Sequence, residues 1–579
     1  MDREAFLSKV RAKASLDGAT FEYLQLAGAD LRGADLRGVS LHACSLDGAD
    51  LTGAELSRGT FTQCLFVGAV IDECAATETR FSSCDLRRSR AKNASFADAI
   101  FHDCRLDEGG WTAVGLMRAA VHRCSGRHLS LGGADLSEGK FVECDLQGVS
   151  LAGLKLERTS FTQCVLKGVD FSSCEIELCS FVESDLQGAR FTEAQVVQGV
   201  FLKADLRGTS LPRAMRQCIF DEAVFSDLDL KDRDLAGSDL AERDLAGVDL
   251  SGATLDSCSL SGANLRGANL RGADLTRAVL MGCDLTDADL TDAVLESCVL
   301  TDAKLAGADL SGRRLTGVVL SGADLEGADF SGAQLQLVQL NKANLRAASF
   351  ERASLKQVML NEAQLVDTRF DRTSFDSVSF IQTDVSGVEF RGLSLQRCGF
   401  VDTDLSARTI TECDLTSCEF TNANLERTVF QSCDLSMSSF MNANLRGASL
   451  RGVKAKAVFF GEADLTGADL RQARLRYGTF PNTTLADVRA DGADLRESVF
   501  TKAKAHRASF RGADFTFADM AHADLSYADL SRADFAQANL HEVVAKDTIW
   551  DGANTATARG TDEKRREAEQ WTAPQGDMR

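Results

Sequence analysis

The chain has 579 residues, 85 acidic against 64 basic, for a formal net charge of −21, a balance that argues against nonspecific binding to nucleic acid. No apolar run is long enough to span a membrane and the N-terminus lacks a signal-peptide core, so a cytoplasmic location is expected. Glycine is abundant (47), proline nearly absent (3), and the 18 cysteines would suggest disulfides only in a secreted protein.

Residues 1–18 form the first element. Asp2-Arg3-Glu4-Ala5-Phe6-Leu7-Ser8-Lys9-Val10 reads as the start of a short amphipathic helix over 2–14, placed to cap the open end of a repeat array. From residue 19 one unit repeats with a period of five, as in Ala29-Asp30-Leu31-Arg32-Gly33 and Ala263-Asn264-Leu265-Arg266-Gly267. Its centre is a large apolar residue, recurring from Phe21 to Leu211 and again from Met215 to Trp550, 107 pentads in all. Only Gly126, Ala76, Ala91, Ala455, Ala490, Ala505 and Ala545 break the rule of a large centre. Two residues before each centre lies a small position, usually Ala. One before it is an acid position, usually Asp or Asn, and after it come a turn position and a corner position. Every cysteine, from Cys44 to Cys433, occupies the small position, so the thiols read as reduced core filler.

A period of five fits neither a helix nor a flat strand. A slower rhythm of twenty overlies it: Phe61, Phe81 and Phe101, Phe141 to Phe201, then Phe380 to Phe500, with Cys44 to Cys164 recurring every twenty. Like residues at that interval predict columns of stacked side chains and a coil with four sides. Centre and small position then face inward, and about 27 coils at ~4.8 Å would extend ~130 Å.

The first segment, 19–211, carries the one local excess of positive charge. Arg87, Arg88, Arg90, Arg123, Arg127 and His128 form a candidate partner-binding patch, with a solvated charged face as the plainer reading. Arg87, Asp107 and Arg127 share a column of alternating sign, and Gly126 leaves a gap in the core there. All seven histidines fall on outward phases. His102 and His122, twenty apart and near Asp103, read as an exposed stacked pair rather than a metal site.

Between Leu211 and Met215 the register slips by one residue, with Pro212 inside the slip. Arg213, Arg233 and Arg243 stand in the small position, where a guanidinium cannot be buried without a partner. Residues 212–245 are therefore expected to be an irregular joint, either a hinge or a local bulge with its arginines turned outward. A second repeat segment spans 246–553. From 554 to 579 the repeat is lost in a polar tail, where Thr561 to Glu567 could form a helix, Pro574 would end it and Trp571 could dock it.

No phosphate-binding glycine loop, nucleophile elbow or paired metal-ligand signature is visible, so no catalytic, cofactor-binding or metal residue is assigned. With A(D/N)LxG running through residues 19–550, the chain resembles the pentapeptide-repeat family. The resemblance implies a right-handed quadrilateral parallel β-helix, all-β, with short helical or irregular terminal caps. It offers two roles. One is a non-enzymatic scaffold or adaptor for protein partners, with dimerisation through an end and a place beside a bacterial secretion or effector system. The alternative is an acidic mimic of DNA bound by DNA gyrase or topoisomerase IV. Residues 215–550 hold 50 acids and 35 bases, roughly one net charge per 5.4 Å at the expected coil spacing, against one per ~1.7 Å in duplex DNA, so scaffold is the reading adopted. An apolar outward patch at an end or at the joint is the surface it predicts.

Overall fold

The computed structural model describes residues 2–225 and 229–571; Ser226, Asp227 and Leu228 of the expected joint, and residues 572–579 of the expected tail with Pro574, lie outside the described residues. The pentad explains the backbone directly. The small-position N–H bonds back to the preceding centre carbonyl, as in Ala34 to Leu31 at 3.0 Å, and closes a turn. The corner residue sits in the left-handed region, Gly33 at φ +62° and Gln63 at +54°, so each pentad bends the chain through one corner. The next residues extend again and pair with the coil above. Leu31 donates to the Asp50 carbonyl at 2.7 Å, and Asp50 to the Ala29 carbonyl at 3.0 Å.

Four such sides make a coil of twenty residues, and acid positions bridge in parallel at that interval, Asp30 to Asp50 and Asp50 to Val70. Short strands form where centres flank extended residues. In the first of two compact units, Met1–Cys298, a nine-stranded parallel sheet runs from Thr20–Glu22 to Ser180–Val182. A four-stranded sheet joins Lys155–Glu157, Glu175–Glu177, Gln195–Val197 and Ala214–Arg216. The second unit, Val299–Arg579, carries a five-stranded sheet from Arg314–Thr316 to Ser394–Gln396, and a pair, Thr409–Thr411 with Val429–Gln431. Each unit is a four-sided parallel β-solenoid. Among the described residues no helix is long and apolar enough to cross a membrane.

Columns of rings fill the interior. Phe61, Phe81 and Phe101 stack at 5.1 and 5.0 Å, and Phe380 through Phe500 form an unbroken stack with spacings of 4.4–5.2 Å. Burying each such side chain is worth about 1.5–3 kcal/mol. All eighteen cysteines are buried and free, in line with their phase. They do more than fill space. The Cys64 thiol donates to the Leu41 carbonyl at 3.3 Å, the centre carbonyl one coil and three residues back, and Cys74 to Leu51 at 2.8 Å. The Thr79, Ser184, Ser238 and Thr428 hydroxyls make the same bond at 2.8–3.1 Å. The small position thus selects for volume and, where Cys, Ser or Thr stands there, for a short donor that satisfies a buried carbonyl. Gly126, alone among centres in lacking a side chain, is closed over by Leu146, whose Cδ2 would lie 3.1 Å from an added Cβ.

At the slip the ladder persists with an offset of nineteen: Gln195 pairs with Ala214, and Val196 with Met215. The aromatic column crosses it too, Phe201 stacking on Phe220 at 5.3 Å. Pro212 falls on the turn position, whose N–H in other coils bonds a side chain rather than the ladder, as Thr52 N–H does to Asp50. Pro481 has the same phase. Proline is tolerated where no ladder hydrogen bond is lost.

Helix α1, Arg3–Arg11, is N-capped by Asp2, which accepts from the Ala5 N–H at 2.9 Å. It sets Phe6, fully buried, edge-on to Phe21 at 5.2 Å over the first coil. Helix α2, Glu563–Gln570, is capped by Asp562 and buries none of its own residues.

Burial pushes the Cys74, Cys218 and Cys258 thiols up, each to about 12, so thiolate is scarce at these positions. A thiol-specific disulfide reagent at pH 8 is expected to titrate none of the cysteines in the folded protein and all 18 in guanidinium. Several fast-reacting native thiols would contradict the inward column.

Candidate docking surface

The acid position is tied into the turn. Its carboxylate accepts the N–H two residues on, as Asp274 does from Thr276 at 3.0 Å. Where the turn position is Arg, the same carboxylate also takes a forked guanidinium. Arg87 with Asp85, Arg207 with Asp205, Arg471 with Asp469 and Arg496 with Asp494 approach to 2.5–2.8 Å. In these pentads the acid's charge is neutralised within its own pentad. Arg207 first of all holds the Asp205 carboxyl down, to about 2.

The rest of the basic cluster of the first unit is also paired, but with acids of the neighbouring coils rather than of its own pentads. Arg88 reaches Glu108 at 2.8 Å, Arg90 Asp72 at 2.7 Å, Arg123 Asp103 at 2.8 Å and Arg127 Asp145 at 2.6 Å. Asp107, instead of alternating with guanidinium groups, accepts the Arg127 backbone N–H at 3.0 Å and the Ser125 hydroxyl. His128 is exposed, its ring beside Gly148. His102 and His122 stack at 5.1 Å as their spacing predicts. His102 is engaged on both nitrogens, with Asp103 and Arg123, each at 3.0 Å.

At the slip Arg213 is exposed, while the other two arginines stay largely covered and find polar partners. Arg233 meets Asp229 at 3.5 Å, while Arg243 donates to the Ala241 carbonyl at 2.9 Å and faces Asp221 at 3.5 Å. Pro212 is buried, and Arg213 and Arg233 border an open depression that Glu193, Arg216 and Asp234 also line.

The last coils hold a cluster that phase alone misses. His541 sits on an outward phase yet is 1 % exposed, because α2 folds back over it. Its Nδ1 accepts the Asp562 N–H at 3.0 Å, so neutral His541 carries its proton on Nε2 and donates to Glu569 at 3.2 Å. His522 reaches the same carboxylate at 3.0 Å. The three ligand-type atoms lie within 4.8 Å of one another, but a protonated Nε2 has no lone pair for a cation. The cluster is a clasp holding α2 to the solenoid. Arg565, then His541, hold the Glu569 carboxyl below the usual glutamate range. Trp571, expected to dock the tail, is 70 % exposed; the clasp does that work through Glu569.

Exposed apolar side chains occur at the slip (Ile219, Val224) and in the last coils (Val544, Ile549), but the longest series runs along one edge of the second unit. Corner positions 437, 457, 477, 497 and 517 stack there. Met437 N–H bonds the Lys456 carbonyl at 2.8 Å, Ala457 that of Arg476 at 2.9 Å, Tyr477 that of Arg496 at 3.0 Å, and Glu497 that of Thr516 at 2.9 Å. Met437 and Phe517 are each 60 % exposed and Tyr477 38 %. Beside them lie exposed Met441, half-buried Phe459 with its ring over Gly461, and Pro481.

The sequence profile described as pentapeptide repeats matches residues 14–108, 130–181, 234–296, 303–376, 443–476 and 480–549, and a pentapeptide repeat region matches 373–448. No curated protein sequence matches. Similar solved structures include HetL, a pentapeptide repeat protein involved in heterocyst differentiation regulation from Nostoc sp. strain PCC 7120. It is 25% identical over 43% of this chain and 91% of that one, with a TM-score of 0.16. Full-length QnrB1, a plasmid-mediated fluoroquinolone resistance protein, is 18% identical over 38% and 92%, with a TM-score of 0.22. A pentapeptide repeat protein of the Arabidopsis thaliana thylakoid lumen is 29% identical over 19% and 66%, with a TM-score of 0.12.

The ion pairs make acid stability and tail protection measurable. Carboxyls whose native pKa is depressed, such as Asp205 at about 2, stabilise the fold above the ordinary aspartate range and lose that contribution as pH falls through the native value. The urea midpoint should hold between pH 5 and 7 and drop steeply from about pH 4 to 2; a midpoint that rises over that interval would refute the assignment. Glu569→Gln and His541→Ala should each speed tryptic cleavage after Lys564, Arg565 or Arg566 by about tenfold, the loss of a charge-assisted bond in the local opening equilibrium. Rates equal to wild type would leave the clasp without force.

Proposed function

The chain belongs to the pentapeptide-repeat family, and from that premise we propose that it acts as a non-enzymatic scaffold or adaptor that binds protein partners on its outer faces. The apolar edge from Met437 to Phe517 carries this reading. The interior is filled by ring columns and small-position side chains, which leaves function to the surface. Part of the surface charge is committed to ion pairs within the fold, such as Arg207 with Asp205 and Arg123 with Asp103. Exposed Met, Tyr and Phe on a surface otherwise so polar are what an interaction site requires. An assembly of the bacterial secretion or effector type is the partner class the resemblance offers, and an end-to-end dimer is compatible with it.

The alternative, a DNA mimic directed at gyrase or topoisomerase IV, draws on the net charge. Its support weakens at the level of columns. The acid positions of one face in the second unit run Asp404, Asn424, Asn444, Asp464, Thr484, Lys504, Asp524, an interrupted series. Carboxylates forked to Arg, such as Asp469 and Asp494, are not free to stand in for phosphates.

The test is affinity capture by the full-length chain from native-host lysate near physiological salt, read by mass spectrometry. A defined protein assembly, recovered reproducibly and with gyrase absent, is the expected result. Recovery of gyrase or topoisomerase IV subunits, lost as salt is raised, would replace the scaffold with the mimic.

A further inference from the structure

Three features of the Met437–Phe517 edge point past a generic sticky patch. The first is backbone cost. Met437, Tyr477 and Phe517 stand at φ +61°, +63° and +61°, where many pentads of the chain use Gly. A left-handed conformation costs a bulky L-residue about 1–2 kcal/mol, and side chains this exposed recover little of it by burial. The fold gains little from them there, at most the cation contacts on the Tyr477 ring.

The second is spacing. The large corners alternate with Ala457 and Glu497, so like side chains recur every second coil, about 9.6 Å apart at ~4.8 Å per coil. An α-helix laid along the edge returns a side chain to the same face every seventh residue, about 10.5 Å. An extended strand returns one every ~6.6 Å and falls out of phase at once.

The third is charge. Residues 451–511 hold twelve Lys and Arg against seven Asp and Glu, a basic island in a chain of net charge −21. On the face beside the edge, Lys454 and Arg474 are exposed and have no ion pair among the described residues, while Lys456 and Arg476 flank the Tyr477 ring at 5.6 and 4.9 Å. Asp434 below and Asp494 above, in the same column as Lys454 and Arg474, confine that column's run of cations to two coils, ~10 Å, too short a track for a nucleic-acid backbone.

We propose that this edge is the docking site for an acidic amphipathic helix of a partner protein. Its apolar residues, seven apart, would seat between Met437, Tyr477 and Phe517, and its carboxylates would face Lys454, Lys456 and Arg474. The proposal rests on the scaffold reading and names the site and partner chemistry.

Glycine variants supply the test, because they remove the side chain and the backbone strain together. The double variant Tyr477→Gly/Phe517→Gly and the charge variant Lys454→Glu/Arg474→Glu are each made in the full chain. The probe is a fluorescent 22-residue helical peptide with Leu every seventh residue flanked by Glu, run beside its Lys counterpart and a single-stranded oligonucleotide. Expected is binding of the Glu peptide alone, weakened at least tenfold by either variant, with a melting temperature of the glycine variant no lower than wild type. A lower melting temperature with unchanged binding would assign the aromatic residues to the fold and overturn the site. Tighter binding of the oligonucleotide, lost in the charge variant, would overturn the helix in favour of nucleic acid. Repeating the lysate capture with the glycine variant separates the two levels: partners retained at wild-type yield would refute this edge and leave the scaffold standing, whereas no partner with either protein would refute the scaffold itself.

Discussion

A backbone that must turn a corner every five residues has one residue in the left-handed region at each corner and favours a small side chain beside each large one. These two constraints account for most of the sequence. Glycine recurs at corners because it adopts positive φ without cost. Ala, Cys, Ser, Thr and Val predominate at the small position because the space between stacked centres favours a small side chain, though Leu154 and Leu393 are buried there too. Asp and Asn recur before the centre because they close the turn with a side-chain acceptor. Each coil is then held to the next by parallel hydrogen bonds at an interval of twenty residues, and by Leu, Phe and other apolar centres stacked along the interior.

The same period made the fold legible without coordinates. The columns Phe61 to Phe101 and Phe380 to Phe500, and the inward cysteines, stand where a four-sided coil puts them. What stayed hidden depends on contacts between elements of different period. His541 has an outward phase, and only the return of α2, which belongs to no repeat, buries it. The thiol and hydroxyl bonds to centre carbonyls had a visible sign, the sharing of one phase by Cys, Ser and Thr. Their partner, twenty-three residues back, emerges only once the coils are stacked. The Met437–Phe517 edge was harder still. Its members sit among Gly, Glu, Gln and Arg at the same phase, and they become neighbours only when read every fortieth residue.

Charge shows the difference between composition and surface. A net of −21 suggests an acidic exterior, yet forks such as Arg207 with Asp205 cancel charge within two residues, and the region around Tyr477 is locally basic. The Asp that each pentad needs for its turn is a structural acid first.

The nineteen-residue coil at Pro212 shows that a face of this solenoid is an angular address rather than a position in the numbering. Losing one residue shifts every later centre of the first unit by one in sequence. Yet Val196 still lies beneath Met215 and Phe201 beneath Phe220, so each later side chain keeps its compass direction. A small deletion at a corner is absorbed within a single turn, as a dropped stitch can be without altering the pattern above it. Coils can therefore be gained, lost or trimmed over evolutionary time while the surface motifs carried by their neighbours stay in line.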